Sequence, residues 1–406
     1  MSSSFDIRAL TEADVATTEA LDNATFGYQP VAGFFEEVNR PLWELDRFIG
    51  AFDPALDGEQ VGSAGIYSMT MTFPECRPHP VAGVTWVGVR PDRQRRGVLT
   101  AMMRHQLDNL HDAGREPVAV LTASEAAIYG RFGYGLAVDR VRLEAPAGLQ
   151  FRPGVATEPV RQIPRDRALP LVQDLYARAI PQFNGFMVRT NLDWNALYSD
   201  HEQVREGATS LYFALHDDGF VAYRLKDDWT DRGPASTLVV HEISAVTPVA
   251  WASLWRHVLD YPLVREVVYR RAWIDDPLRD LVVDVRALRR PATDHVWLRL
   301  VDLDRAVGLR SYRTCCSVTV GLTDTFCPWN AGVWRFDLDT EGGTATRVDG
   351  EPQVRLDTTD LAATFLGGSG VGRLAGAGRV IGDPAAIRAL GLALSTPLGP
   401  WVPEGF

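Results

Sequence analysis

The run 84–106, VTWVGVRPDRQRRGVLTAMMRHQ, carries the most chemical content: a strand, an arginine-rich loop and a helix, in that order. Arg95, Arg96, Gly97 and Val98 fall where the helix begins. A helix N-terminus offers unpaired backbone N–H groups and the positive end of the helix dipole, so these residues suit a phosphate or pyrophosphate. Gly97 lets a ligand approach the backbone closely. The run matches neither GxxxxGK[ST] nor GxGxxG, which argues against a nucleotide triphosphatase and a dinucleotide fold. Read alone, the arginine cluster is more often a solvated surface loop. Tyr129 and Tyr134 in IYGRFGY are phenols of reference pKa about 10, protonated at neutral pH and able to donate to a thiolate of pKa about 8.5. Each is also an ordinary core-edge aromatic. The stretch PWVPEGF (400–406) is apolar and stiffened by proline, poorly suited to the frayed tail expected of most chain ends.

These groups need elements to hold them. Up to residue 147 the sequence predicts a mixed α/β unit, with a helix over 14–23 and strands at 47–53 and 61–73 around an Asp57-Gly58 turn. A strand at 81–90 follows, then a helix with Leu99, Met102, Met103, Leu107 and Leu110 on one face, then a strand at 116–124. Strand, helix, strand implies a crossover between neighbouring strands. Proline and glycine at 146–154 open a second block, with helices near 167–180 and 253–261 and strands near 210–226, 237–244 and 264–272. After Pro291 come 296–307, strands around 317–326 and 333–340, and helices near 359–366 and 384–394, which together read as a small α+β unit.

A chain of 406 residues, 46% hydrophobic and 23% charged, can bury several cores without disulfides or metal. No apolar run reaches the roughly 18 residues a membrane span needs, so no membrane partner is expected. MSSSFDIRALTEAD has neither basic flank nor apolar core, so no secretory signal is read and a cytoplasmic protein is expected. A net charge of −11 argues against nucleic acid and for a cationic partner. Cys76, Cys315, Cys316 and Cys327 show no paired metal-ligand spacing; they read as reduced, mostly buried thiols, and no metal is expected. His105 and His111 read as surface residues.

QRRGVL (94–99) after TWVGV resembles the acetyl-CoA pyrophosphate loop of GNAT acetyltransferases, Q/R-x-x-G-x-G/A, with Leu99 in place of the last small residue. With ASEAAIYGRFGYGLA (123–137), DDPLRDLVVDVRALRR (275–290), VWLRLVDLDRAVGLRSY (296–312), LAATFLGG (361–368) and PWVPEGF, the chain resembles the Eis-type aminoglycoside N-acetyltransferases over nearly its whole length. That resemblance implies an α/β chain of tandem GNAT domains, 1–147 and 148–290, the second lacking its own cofactor site. A sterol-carrier-protein-like α+β domain over 291–406 would follow, and the assembly implied is a homohexamer. The donor implied is acetyl-CoA, with the backbone of Val87 and Val89 along the pantetheine arm, Arg95, Arg96, Gly97 and Val98 at the pyrophosphate, and Ser124 as a further contact.

The resemblance also assigns Tyr129 as general acid and a terminal carboxylate at Phe406 as a participant in amine deprotonation. A carboxylate of pKa about 3.3–3.7 is a weak base against an amine near 10, so a shared role in binding the ammonium and relaying its proton is expected. Asp22, Phe26, Glu36, Glu37 and Trp43, with Glu404, are the implied acceptor residues, carboxylates and aromatics suited to a polycationic aminoglycoside. Taken one at a time, they read more readily as an ordinary acidic helix face with Phe26 and Trp43 as core anchors. The expected reaction is acetylation of aminoglycoside amines at several positions. The alternatives are acetylation of protein lysines or other polyamines, and a non-catalytic carrier of an apolar ligand on the same scaffold, to which Leu99 is the hint.

Overall fold

The computed structural model describes residues 5–406; the first four residues of the polar N-terminal stretch lie outside it. A twelve-stranded sheet is built from β1 (Asp6–Ala9), β2 (Ile49–Asp53), β3 (Glu59–Phe73), β4 (Arg77–Val89), β5 (Val118–Thr122), β6 (Gly135–Pro146), β7 (Arg161–Ile163), β8 (Tyr212–His216), β9 (Gly219–Lys226), β10 (Ser236–Ala245), β11 (Val264–Ala272) and β12 (Ala292–Leu300). Their spatial order is β1-β2-β3-β4-β5-β12-β6-β11-β10-β9-β8-β7. Two pairs are parallel, β4 with β5 and β10 with β11. Parallel neighbours need a crossover, and helices supply it in both cases.

Helices α1 (Val15–Phe26), α2 (Val98–Ala113), α3 (Ala126–Tyr129), α4 (Arg165–Ala179), α5 (Asn191–Leu197) and α6 (Pro248–Leu259) accompany the sheet. The crossover α2 turns Val98, Met102, Met103, Leu107 and Leu110 into the core, while Leu99 is half-buried at its edge. This is the stripe that 3.6-residue periodicity dictates. The other crossover, α6, is apolar nearly all round and buries Trp251, Leu254, Trp255, Val258 and Leu259.

β12 departs from the sequence reading. Expected to open the third unit after Pro291, it pairs instead with β5 and β6 in the middle of the large sheet. Its residues suit that place: Val296, Leu298 and Leu300 are enclosed, and the equally enclosed Arg299 is matched by Asp324 at 2.6 Å. A buried cation needs such a partner. The last unit has a five-stranded sheet of β13 (Cys316–Thr323), β14 (Gly332–Leu338), β15 (Gly343–Arg347), β16 (Val354–Asp357) and β17 (Ile381–Gly382), in the order β15-β14-β13-β16-β17. Helices α7 (Thr358–Thr364), α8 (Val371–Gly376) and α9 (Pro384–Leu394) go with it.

His111 is a correction to the sequence reading: its ring stacks on Trp329 (centroids 4.2 Å apart) and its Nδ1 contacts Asp302, tying α2 to the last unit. All four cysteines are free; Cys316 and Cys327 are buried, Cys76 is half-buried and Cys315 exposed. No helix among the described residues is long and apolar enough to cross a membrane.

Candidate active site

β4 and β5 are paired at Ala82 with Ala119 and at Gly83 with Val120, and part beyond these two rungs. A fork at the carboxyl ends of parallel strands is where open α/β sheets bind ligands. A bulge shapes this one. Ser63 pairs with Gly88 and Gly65 with Thr85, so Trp86 and Val87 face Ala64 alone, and Trp86 adopts φ +52°. The extra residue breaks the ladder locally and bends the strand. A cavity of about 570 Å³ fills the fork, walled by Thr85, Trp86 and Val87 on one side, Thr122 and Ser124 on the other, and by Asp22 and Phe26 of α1.

Tyr129, at the end of α3, reaches the same cavity. Tyr134 lies behind it, ring centroids 5.9 Å apart, fully enclosed and, among the described residues, with no partner for its hydroxyl. Burial, with the charge of Glu125 adding, pushes the Tyr129 phenol up to about 12, so it stands as a neutral donor at physiological pH. Burial also pushes the Asp22 carboxyl up to about 6.

On the outer side of the fork, Arg90 is tied to Glu59 (2.7 Å) and Asp92 (2.9 Å), and Arg93 to Asp53 (3.4 Å). Arg95 and Arg96 are exposed and, among the described residues, make no ion pair. Arg95 and Gly97 take positive φ (+60° and +90°), wrapping the loop around the start of α2. Among the described residues no side chain caps that helix, and a Cβ at Gly97 would meet nothing within 4 Å. Val98 is enclosed, so it presents backbone rather than side chain. Two free guanidinium groups beside an uncapped helix N-terminus fit a pyrophosphate.

A second cavity of about 340 Å³ adjoins the first, and Phe34, Asn39, Thr85, Trp86 and Phe406 belong to both walls. Phe406 therefore stands at the junction, where its main-chain oxygen accepts from the Thr122 hydroxyl at 2.5 Å. The 401–406 segment has no regular structure, yet it is firmly held. Trp401, 2% exposed, packs on Phe183, Phe186 and Trp273, and its backbone N–H donates to Asn184 at 2.7 Å. Gly185 makes room with φ +101°; a Cβ there would lie 2.8 Å from the Trp401 carbonyl oxygen. His295, held neutral by burial with a pKa of about 4, donates from Nε2 to the Val402 carbonyl at 2.9 Å. Arg271 donates to the Pro403 carbonyl at 3.0 Å.

Glu404 anchors the segment to the second half of the sheet. It accepts from Tyr176 (2.9 Å) and from Arg189 (2.7 Å), and Arg189 also grips Glu242 with two bonds of 2.8 and 3.0 Å. Tyr198 donates to Glu242 at 2.6 Å. Burial pushes the Glu404 carboxyl up, against the opposing pull of Arg189.

Of the residues singled out in the sequence, Asp22, Phe26, Val87, Ser124, Tyr129 and Phe406 line one cavity, and Glu404 lines its neighbour. Val89 lies at the strand end, paired with Gly62 and off the cavity wall. Glu36 and Trp43 are corrected: neither lines a cavity at this site. The 35–47 segment winds as short turns that leave Glu36 and Glu37 exposed and send Trp43 inward. There Trp43 stacks on Phe48 (4.4 Å) and meets the edge of Trp86 (4.8 Å), supporting the bulge from below. Sequence reading misses Trp86, Thr122, Glu19 and Asp193 as lining residues. Thr122, at a strand end, was within reach of that reading; a bulge at Trp86 has no local signal.

Models of the acetyltransferase (GNAT) domain match residues 6–137 and 185–300, and a model of the sterol carrier protein domain matches 303–403. Among curated proteins, an "Uncharacterized N-acetyltransferase" of Streptomyces avermitilis is 37% identical over 401 residues, 94% of each chain. The N-acetyltransferase Eis of Mycobacterium tuberculosis is 30% identical over 356 residues, 84% of each chain. Among solved structures, Eis1 from Mycobacterium abscessus superposes with a TM-score of 0.85 at 33% identity, covering 99% of this chain and 100% of that one. With tandem acetyltransferase domains, a sterol-carrier-like domain and these relatives along nearly its whole length, the chain is an acetyltransferase and belongs to the Eis-like family of the GNAT superfamily.

Proposed function

We propose that the chain transfers the acetyl group of acetyl-CoA to amines of aminoglycosides, at several positions of each molecule. The observation that carries this reading is the junction at Phe406, where the cavity in the fork meets a second cavity along a shared wall. Arg95, Arg96 and the backbone at Gly97 and Val98 hold the pyrophosphate, the bulged strand at Val87, continuing to Val89, guides the pantetheine arm, and Ser124 adds a contact. Glu19, Asp22 and Asp193 attract ammonium groups, and Phe26 offers an aromatic face. Two joined cavities give a polyamine room to present more than one amine.

Chemically, the acceptor nitrogen bonds to the thioester carbonyl carbon and the C–S bond breaks. The nitrogen loses a proton, relayed through water toward a carboxylate at Phe406, and the sulfur gains one from the Tyr129 phenol, which is reprotonated in turn. A carboxylate at this point serves as ammonium anchor and relay, since its basicity alone is too low to strip an amine. By family resemblance the working assembly is a homohexamer, which light scattering reads directly.

The test is thiol release from acetyl-CoA by protein without a C-terminal tag, over a panel of aminoglycosides, simple polyamines and lysine peptides, with mass spectrometry counting acetyl groups. Two or more acetyl groups per aminoglycoside are expected. Release with lysine peptides or polyamines alone replaces the acceptor. Thermal stabilisation by apolar ligands, with none from acetyl-CoA, replaces the reaction by a carrier role.

A further inference from the structure

The second parallel pair, β10 with β11, also forks and also holds a cavity. The strands are paired up to Val240 and Tyr269, and a cavity of about 310 Å³ opens there. Its walls are 239–241, 269–271, the end of β9 and the segment 204–208, and it shares Leu197 and Val204 with the walls of the cavities around Phe406. This volume is at the small end of the range for ligand pockets.

Its lining is basic, in a chain whose net charge is −11. Arg205, Arg224, Lys226, Arg270 and Arg271 face it against one lining carboxylate, Glu206. Asp200, behind the wall, holds Arg205 at 2.9 Å and Arg224 at 2.5 Å, and Glu206 pairs with Arg270 at 3.1 Å. Lys226 and Arg271 make no ion pair among the described residues; Arg271 donates to the Pro403 carbonyl and keeps further N–H groups to offer. Tyr269 lies on the inner wall, and its buried hydroxyl has no hydrogen-bond partner among the described residues. A buried hydroxyl without a partner is destabilising, so something that accepts from it stabilises the site. His241, the extra residue of a bulge in β10, lines the same space; burial holds it neutral, with a pKa of about 4. Coenzyme A is a poor fit, because the crossover helix α6 starts with Pro248 and its first turn is capped by the Thr247 hydroxyl. The cradle is made of side chains, and it matches a compact anion.

We propose that this cavity is a second ligand site, taking a small phosphate-bearing molecule whose phosphate is met by Lys226, Arg271 and the Tyr269 hydroxyl. Guanidinium forks and a point ammonium charge suit a tetrahedral oxyanion. The proposal does not rest on the acceptor assigned above.

Calorimetric titration with inorganic phosphate, at ionic strength fixed with chloride, tests it on protein saturated with coenzyme A so that the α2 loop is filled. The wild type and the R95Q/R96Q variant should bind one phosphate alike, and Lys226→Gln and Tyr269→Phe should bind about tenfold more weakly, the worth of one charge-assisted bond. A parallel titration with glycerol phosphate separates a phosphate ester, which binds more tightly by filling the cavity, from free phosphate, which does not. The proposal is overturned by no heat above the chloride control. It is equally overturned by binding that is lost in R95Q/R96Q yet kept in the other two variants, or by citrate binding more tightly than either phosphate. Matching melting temperatures in chloride check that Lys226→Gln and Tyr269→Phe are folded.

Discussion

The fork between β4 and β5 and the fork between β10 and β11 share their construction: a parallel pair, a crossover helix, a bulge on the first strand, and a cavity just past the last paired rung. They differ in how the crossover helix begins. In the first, Gly97 leaves the helix N-terminus open beside two arginines that make no ion pair among the described residues; in the second, Thr247 and Pro248 close it. They differ again in what enters from outside. The first fork receives the Phe406 oxygen, whereas beside the second Arg189, Glu242 and Glu404 pair with one another. A repeated architecture therefore places a cavity at the same point of each parallel pair, and the few residues before each helix decide whether its N-terminus is open to an anion.

The largest expected effect tests the first fork. Tyr129→Phe should lower kcat by about 10²- to 10⁴-fold, the usual worth of a positioned proton donor, with acetyl-CoA affinity unchanged by calorimetry. Unchanged turnover would remove the phenol from the proton path. The second fork has a structural counterpart: Arg189→Met strands two buried carboxylates and should cost about 3–5 kcal/mol in urea unfolding. A loss below about 1 kcal/mol would mean the cluster does not hold the two halves together.

Next come the two helix starts, which should respond in opposite currencies. Gly97→Val forces a β-branched residue to φ +90° and blocks the cradle, raising KM for acetyl-CoA about tenfold with a backbone strain of about 1–2 kcal/mol. Thr247→Ala should cost about 1 kcal/mol in melting experiments and leave that KM unmoved. If both variants change KM alike, the two helix ends are not functionally distinct.

The smallest effect concerns Asp22. Its folded pKa of about 6 lies above the ordinary 3.8, so the carboxyl's contribution to stability is full below about 3.8 and is lost as pH rises through 6, while its charge for binding appears over the same rise. KM for a polyamine should therefore fall by about threefold between pH 5 and 7, the scale of one partly exposed ion pair, and Asp22→Asn should flatten that change. A profile identical in the variant would assign the pH dependence to another group.

Much of the first fork is legible from sequence because its signals are local. The stripe Met102, Met103, Leu107, Leu110 marks α2, and Gly97 and Gly114 bracket it. Asp22 and Trp43 show where legibility stops. Both belong to one polar and aromatic stretch, but Asp22 sits on a regular helix with a readable face, while Trp43 follows irregular turns that rotate it into the aromatic core. The Trp86 bulge has no sequence mark, since β4 reads as a continuous apolar strand and its register is set by β3.

By itself the sequence determines the order of strands and helices, the arginine loop at the mouth of a helix, and the family, all of which depend on patterns spanning a few residues or on whole-chain likeness. Tertiary structure alone decides that β12 enters between β5 and β6, that the 400–406 segment crosses the sheet to Thr122, and that the second fork becomes a basic cavity. The reason is separation along the chain. Arg189 meets Glu242 across 53 residues and Glu404 across 215, and Thr122 meets Phe406 across 284. No local periodicity encodes such contacts; burial selects them, because a charge or a main-chain oxygen taken out of water must find its partner wherever the fold delivers one.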